Sequence, residues 1–269
     1  MGGGGGLVGA SWFGHKENKA AIPDTIEYKG VYYSVLSLDS MECCVVGARP
    51  GDNVQLSQEV PYADMVFKTV AIGKKAFYRS PITSVHIPDG VREIGEGAFK
   101  YCNNLTSVHM PNSVERIGTC CFDSVGKMKE LTLSSNLKVI PRTSFTNCKS
   151  LKTLTIPEGI VQIEMDAFAL CDSLENVQLP STLHTLERGV FWRCHELREF
   201  KIPATLYTLG EYLFFDCDSL KHLYNYATTP QQIPVISNNR QLQVHVPKSA
   251  EHLYKKAHVW RNYRIIGDL

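Results

Sequence analysis

The chain has no charge of either sign to spare: 28 Lys+Arg stand against 27 Asp+Glu, a formal net charge of +1. Nucleic-acid binders carry a basic excess, so this balance argues against a nucleic-acid partner. No apolar run approaches the roughly 20 residues that a membrane-spanning helix needs. Nine cysteines are present, yet no C-x-x-C pair offers the clustered ligands of a zinc site. There is no G-x-S-x-G nucleophile elbow and no G-x-x-x-x-G-K-S/T phosphate loop, and the Gly2–Gly6 run precedes no strand–helix unit. Asp and Glu do not recur as a pair on one face, as a glycosidase would require. The expectation is a chain with no catalytic residues, no cofactor, no metal and no membrane span.

What the chain does have is a period. Phe recurs every 23 residues at Phe99, Phe122, Phe145, Phe168, Phe191 and Phe214. A second column keeps the same step through Leu105, Met128, Leu151, Leu174, Leu197 and Leu220, with Ile82 one period earlier. A fixed repeat of about 20–50 residues marks a stacked repeat protein. One unit of this size cannot bury its own Leu, Ile and Phe. Neighbours cover them, and stability becomes nearly additive along the stack. Such a chain has a long ruled surface and no built-in closed pocket, which favours binding over chemistry.

Within the unit that starts at Leu105, apolar and polar residues alternate: Leu105, Val108 and Met110 should face the core, Ser107 and His109 solvent. Pro follows at 88, 111, 157, 180 and 203, with Ser134 as the exception. Pro donates no ladder hydrogen bond, so it ends the strand on each rung. A second apolar pair comes next, such as Val114 with Ile117. The position after it holds Gly95, Gly118 and Gly210 but also Pro141, Glu164 and Glu187, so a positive φ is not required there. The closing Ala-Phe segment should form a short helical or 3₁₀ turn. Seven rungs at ~4.8 Å give a slab roughly 30 Å long.

Cys102, Cys148, Cys171, Cys194 and Cys217 each lie three residues after a repeat Phe, and Val125 occupies the sixth such place. A column that accepts Val is behaving as a small buried apolar residue, so a ladder of free thiols is expected. The adjacent pairs Cys43-Cys44 and Cys120-Cys121 are poor disulfide partners, because neighbours on a strand face opposite sides.

The organisation expected is a flexible glycine-rich leader over 1–25, with no signal peptide visible. An N-terminal β cap follows over 26–69, in which residues 26–46 form a short meander. The array occupies 70–220, beginning with the irregular copy Val70–Phe77. A C-terminal cap covers 221–269, with a strand at 243–247, a helix at 249–258 that carries Leu253 and Ala257 four apart on one face, and a Glu251/Lys255 pair.

The unit Leu-x-x-Val/Leu-x-Ile-Pro-x-x-Val-x-x-Ile-Gly-x-x-Ala-Phe-x-x-Cys resembles the BspA-like (Treponema pallidum-type) leucine-rich repeat. The best copies are 82–104 and 151–173, and the likeness covers roughly 70–227. The segment Val246–Trp260 is similar to the closing segment of such proteins from gut and oral Bacteroidetes. The resemblance implies a right-handed β/α solenoid with short parallel strands on one face and short 3₁₀ or helical turns and loops on the other. It also implies a secreted or cell-surface protein that adheres to a protein or glycan. A cytoplasmic interaction scaffold is the alternative, and a monomer is expected in either case.

The outward strand positions form two polar columns. One contains Ser107, Glu130, Thr153, Asn176 and Glu199; the other His109, Thr132, Thr155, Gln178 and Lys201. These ten residues are the candidate recognition surface. His86 and His109 should sit on adjacent rungs, but neither column offers them the further ligands of a metal site. His245, His252 and His258 are too scattered in sequence to form a site.

Overall fold

The computed structural model describes residues 22–269. The leader expected over 1–25 lies outside the described residues as far as residue 21. The rest is a solenoid whose backbone makes one circuit every 23 residues.

The first ladder is the one expected. Its regular strands, Ser84–His86, Ser107–His109, Glu130–Thr132, Thr153–Thr155, Asn176–Gln178 and Glu199–Ile202, are stacked in chain order. Glu130–Thr132 pairs in parallel with Ser107–His109, Thr132 opposite His109, and Thr153–Thr155 pairs in parallel with Asn176–Gln178, Thr155 opposite Gln178. The ladder is longer than the Phe column. At one end Asn53–Gln55 pairs in parallel with Ser84–His86. At the other, His222–Asn225, Gln243–Val246 and Arg264–Gly267 add three more parallel strands.

The second apolar pair of each unit forms a ladder of its own, which the sequence pattern did not disclose. Glu93–Ile94 pairs in parallel with Arg116–Ile117, and Val139–Ile140, Gln162–Ile163, Thr185–Leu186 and Thr208–Leu209 continue the series. The Gly column beside it is set by close approach: a Cβ on Gly118 would fall 2.3 Å from the backbone N of Glu96. Where the column holds glutamate, the side chain bonds to the neighbouring rung. Glu164 accepts the N–H of Arg142 at 2.9 Å, and Glu187 that of Met165 at 3.0 Å.

The Ala-Phe segments close each circuit with turns carrying i→i−3 bonds, such as Ala98 N–H to Gly95 O at 3.2 Å. They do not continue as 3₁₀ helix, because two residues per rung adopt positive φ. Thr143 and Asn147 (φ 53° and 63°) and Asp166 and Leu170 (56° and 61°) are examples. That left-handed conformation costs about 1–2 kcal/mol for a residue with a Cβ. It directs alternate N–H groups at the next rung: Thr143 to Met165 O, Phe145 to Ala167 O and Asn147 to Ala169 O, all within 2.8–3.0 Å. The turn ridge is therefore a third inter-rung hydrogen-bond line, and these bonds hold the strained residues in place.

Inside the three lines, Phe77, Phe99, Phe122, Phe145, Phe168, Phe191 and Phe214 stack with centroids 5.0–6.0 Å apart and planes within 10° of parallel. The spacing follows the strand separation, which lets offset rings meet face to face. Beside them Cys102, Cys148, Cys171, Cys194 and Cys217 are buried and free. Each donates its S–H to the backbone oxygen of a Phe in the rung before, at 3.0–3.5 Å. Burial pushes the Cys102, Cys171 and Cys217 thiols up to about 12.

At the N-terminal end Ile26–Tyr28, Val31–Ser37 and Glu42–Ala48 form the antiparallel meander, turning at Lys29-Gly30 with both φ positive. Glu42–Ala48 then joins Met65–Ile72 in parallel and so feeds the second ladder. At the other end the helix Glu251–Lys256 carries the expected Lys255–Glu251 pair at 2.6 Å. Its buried residue is Tyr254, and Leu253 is 41% exposed, contrary to the expected Leu253/Ala257 face. Tyr254 is drawn inward by the bond from its hydroxyl to Ala227 O (3.0 Å) and by edge-on packing against the buried Trp260.

Candidate functional site

The ten candidate residues all lie on the outward face of the first ladder. His109, Glu130, Thr132, Thr153, Thr155, Asn176, Gln178, Glu199 and Lys201 are exposed, and Ser107 is half-buried. Strand alternation places them there: on each rung the central residue turns to the core, as Val108 and Leu154 do. Register then lines them up, Glu130 against Ser107 and Thr153 against Asn176.

They do not form one uniform surface. In the first half, His109 reaches across one rung to Thr132 Oγ1 at 3.1 Å and lies 3.8 Å from a Glu130 oxygen. Those groups satisfy each other. In the second half a groove of about 410 Å³ runs between Asn176, Gln178, Glu199, Lys201, Pro203 and Tyr226. Lys201 and Glu199 lie 3.9 Å apart along it, 61% and 50% exposed, so they remain open to a ligand. Tyr226, 41% exposed, forms the wall. Its place beyond the strand end, after the Phe column has stopped, hid it from the repeat pattern.

The same face continues into a histidine cluster. His222 and His245 approach at 3.0 Å (Nδ1 to Nε2), and His245 Nδ1 is 2.9 Å from an Asp268 oxygen. With Nδ1–H of His245 donated to Asp268, its Nε2 accepts the Nδ1–H of His222. The Tyr224 ring lies on His245 at 4.6 Å, and His245 is 8% exposed. Read from sequence, His245 looked isolated. The three polar residues in fact keep the repeat step, at 222, 245 and 268. No group of His, Cys, Asp and Glu suited to a metal ion occurs among the described residues, and none of their helices is long and apolar enough to cross a membrane.

A family model for the BspA type leucine rich repeat region matches in six copies, over residues 70–194 and 139–257. The chain belongs to the BspA-type leucine-rich-repeat family. Two solved structures share its fold. A leucine rich cell surface protein from Faecalibacterium prausnitzii superposes with a TM-score of 0.64 at 21% identity, over 86% of this chain and 72% of that one. The leucine rich repeat protein of T. pallidum gives a TM-score of 0.64 at 26% identity, over 72% of this chain and 90% of that one. No curated protein matches. BspA-type repeats form scaffolds for binding or adhesion, and this chain is one of them.

Proposed function

We propose that the chain is a non-catalytic adhesion module that works at the cell surface or after secretion, and that it recognises a protein or glycan through the outward face of the first ladder. The observation that carries this reading is the groove at Asn176, Gln178, Glu199, Lys201 and Tyr226. It combines an exposed aromatic wall with polar groups that the fold itself does not use, the usual make-up of a recognition patch. That the Faecalibacterium prausnitzii structure is of a cell surface protein supports the location. The module acts as a monomer.

The test is a binding screen of the purified chain against immobilised extracellular matrix proteins and glycans, repeated with Lys201→Ala and Tyr226→Ala. A hit that weakens tenfold or more in both variants, with unchanged thermal unfolding, establishes the groove. A hit that both variants retain removes the groove from the reading.

An intracellular interaction scaffold is the second reading, favoured by the nine cysteines that are all free. Fractionation of the source cells separates the two: recovery in the cytosolic fraction supports the scaffold and overturns the surface module.

A further inference from the structure

A second cleft, on the turn ridge, lies away from the groove. It has a volume of about 270 Å³ and is bounded by Asp166, Arg188, Gly189, Trp192, Tyr212 and Phe215. Between Gly97 and Gly189 the ridge carries no aromatic ring at the equivalent places: Cys120, Thr143 and Asp166 where Tyr212 stands, Lys100, Asp123, Thr146 and Ala169 where Trp192 and Phe215 stand. Packing therefore does not call for three aromatic rings here. All three are only half-buried, while the core Phe column behind them is complete.

The rings are held in place. Tyr212 and Phe215 meet edge-on at 5.3 Å. Arg188 lies 5.5 Å from the Tyr212 centroid and Arg193 5.8 Å from that of Trp192. Both arginines are balanced across one rung, Arg188 by Glu211 at 3.6 Å and Arg193 by Asp216 at 4.0 Å. Asp216 also accepts a bond from Asn238 Nδ2 at 2.8 Å. The Asp166 carboxylate is different. Among the described residues it has no hydrogen-bond or ion-pair partner. A Cβ on Gly189 would come within 2.3 Å of its Oδ1, so the glycine is what makes room for the carboxylate at the cleft. Burial pushes Asp166 up from the ordinary carboxylate range, while Arg188 and Arg142 pull it down.

We propose that this cleft binds one ring of a neutral sugar, with its C–H face on the Trp192–Phe215 aromatic wall and two hydroxyls donating to Asp166. The chemistry selects this class of ligand. An aromatic face offers contact to flat apolar surface, and an unpartnered acceptor nearby requires donors. A cation would meet Arg188 and Arg193, which already occupy the neighbourhood of the rings. An anion would meet Asp166 and Asp216. A hydroxylated neutral ring supplies donors without adding charge. The cleft accommodates a single ring, so it reads a terminal or isolated residue of a glycan.

The experiment follows the Trp192 indole N–H signal by NMR in the full chain, assigned by its loss in Trp192→Phe. The probes are the methyl glycosides of glucose, galactose, mannose and N-acetylglucosamine, with tetramethylammonium and acetate as charged controls. A saturable shift with at least one glycoside, at a Kd on the order of 1–10 mM, is expected, with no shift from either ion. Asp166→Asn and Gly189→Ala should each weaken it tenfold or more. Asp166→Asn keeps the shape and the fold even if Gly189→Ala, at a positive φ, does not. Lys201→Ala on the other face should leave it unchanged, so failure of the ladder groove and failure of this site are distinguishable. No shift with any glycoside, a shift with tetramethylammonium instead, or full binding by Asp166→Asn overturns the proposal.

Discussion

On the strand Thr153–Thr155, Leu154 is 1% exposed while the two threonines face solvent. Across the stack the Leu154 column keeps its chemistry: Val108, Leu154, Phe200 and Leu223 are all buried and apolar. The columns on either side do not. They begin with serine and histidine, pass through threonine and glutamate, and end with lysine, tyrosine and a histidine pair of which His245 is buried. One period therefore serves two different constraints. Inward positions must fit a neighbour of the same kind, because stacking puts like residues one rung apart. Outward positions are constrained only by what they meet in solution, and they diverge where the groove and the histidine cluster lie.

The sharpest way to break this comparison is to charge the inward side. The Cys102, Cys171 and Cys217 thiols are pushed up to about 12 and Cys44 to about 11, from a model-compound value of 9.0, chiefly by burial. In the unfolded chain they ionise near pH 9. Between about pH 9 and 12 the folded state thus holds more protons than the unfolded one, and stability falls as pH rises. The slope approaches 1.4 kcal/mol per pH unit for each such thiol. Denaturation midpoints should be flat from pH 7 to 8.5 and drop steeply above pH 9. Replacing the Cys column with Val, as position 125 already does, should flatten the decline. An unchanged midpoint at pH 11 would mean that the ladder is open to water.

Next in size is Phe168→Ala, in the middle of the ring stack, where Phe145 and Phe191 lie 5.2 and 6.0 Å away. Removing a fully buried aromatic should cost about 3–5 kcal/mol in urea unfolding. A loss below 1 kcal/mol would show that the stack closes over the gap and that the inward column is not held to one residue type. Asp268→Ala tests the boundary between the two kinds of position. His245 is outward in register yet buried, and Asp268 is its carboxylate partner at 2.9 Å. Leaving the imidazole N–H of His245 unpaired should cost about 1–3 kcal/mol, toward the low end because Asp268 itself is half-exposed and water can take its place.

The repeat columns were legible in the sequence because each keeps nearly one side chain per rung: Phe99 and its successors without exception, Cys102 and its successors but for Val125, and Pro after each strand but for Ser134. The second ladder and the turn ridge were not. Their inter-rung bonds join backbone groups, and residues as different as Thr143, Asp166 and Tyr212 take the same positive φ. The outward candidates were placed correctly by alternation alone, but alternation says nothing of which of them are left unsatisfied. His109 is taken up by Thr132, Lys201 and Glu199 stay open, and Tyr226 completes a groove from outside the columns. His245 was missed for a different reason. Its strand pairs Gln243 with His222, a step of 21, while the side chains that touch are the ones spaced by 23. A search for the period in polar residues beyond Leu220 would have found it.

The smallest effect belongs to His109→Ala. The substitution removes the 3.1 Å contact with Thr132 and the 3.8 Å approach to Glu130, both on a face open to water. Exposed pairs of this kind contribute about 0–1 kcal/mol. Stability in urea should therefore change by no more than about 0.5 kcal/mol, against the several kcal/mol of Phe168→Ala in the core. The two substitutions sit on the same solenoid, both truncate an aromatic ring to a methyl, and differ mainly in which way the side chain points. If His109→Ala proved as costly as Phe168→Ala, outward residues would be part of the fold. The divergence of the outward columns could then no longer be read as freedom to recognise a ligand.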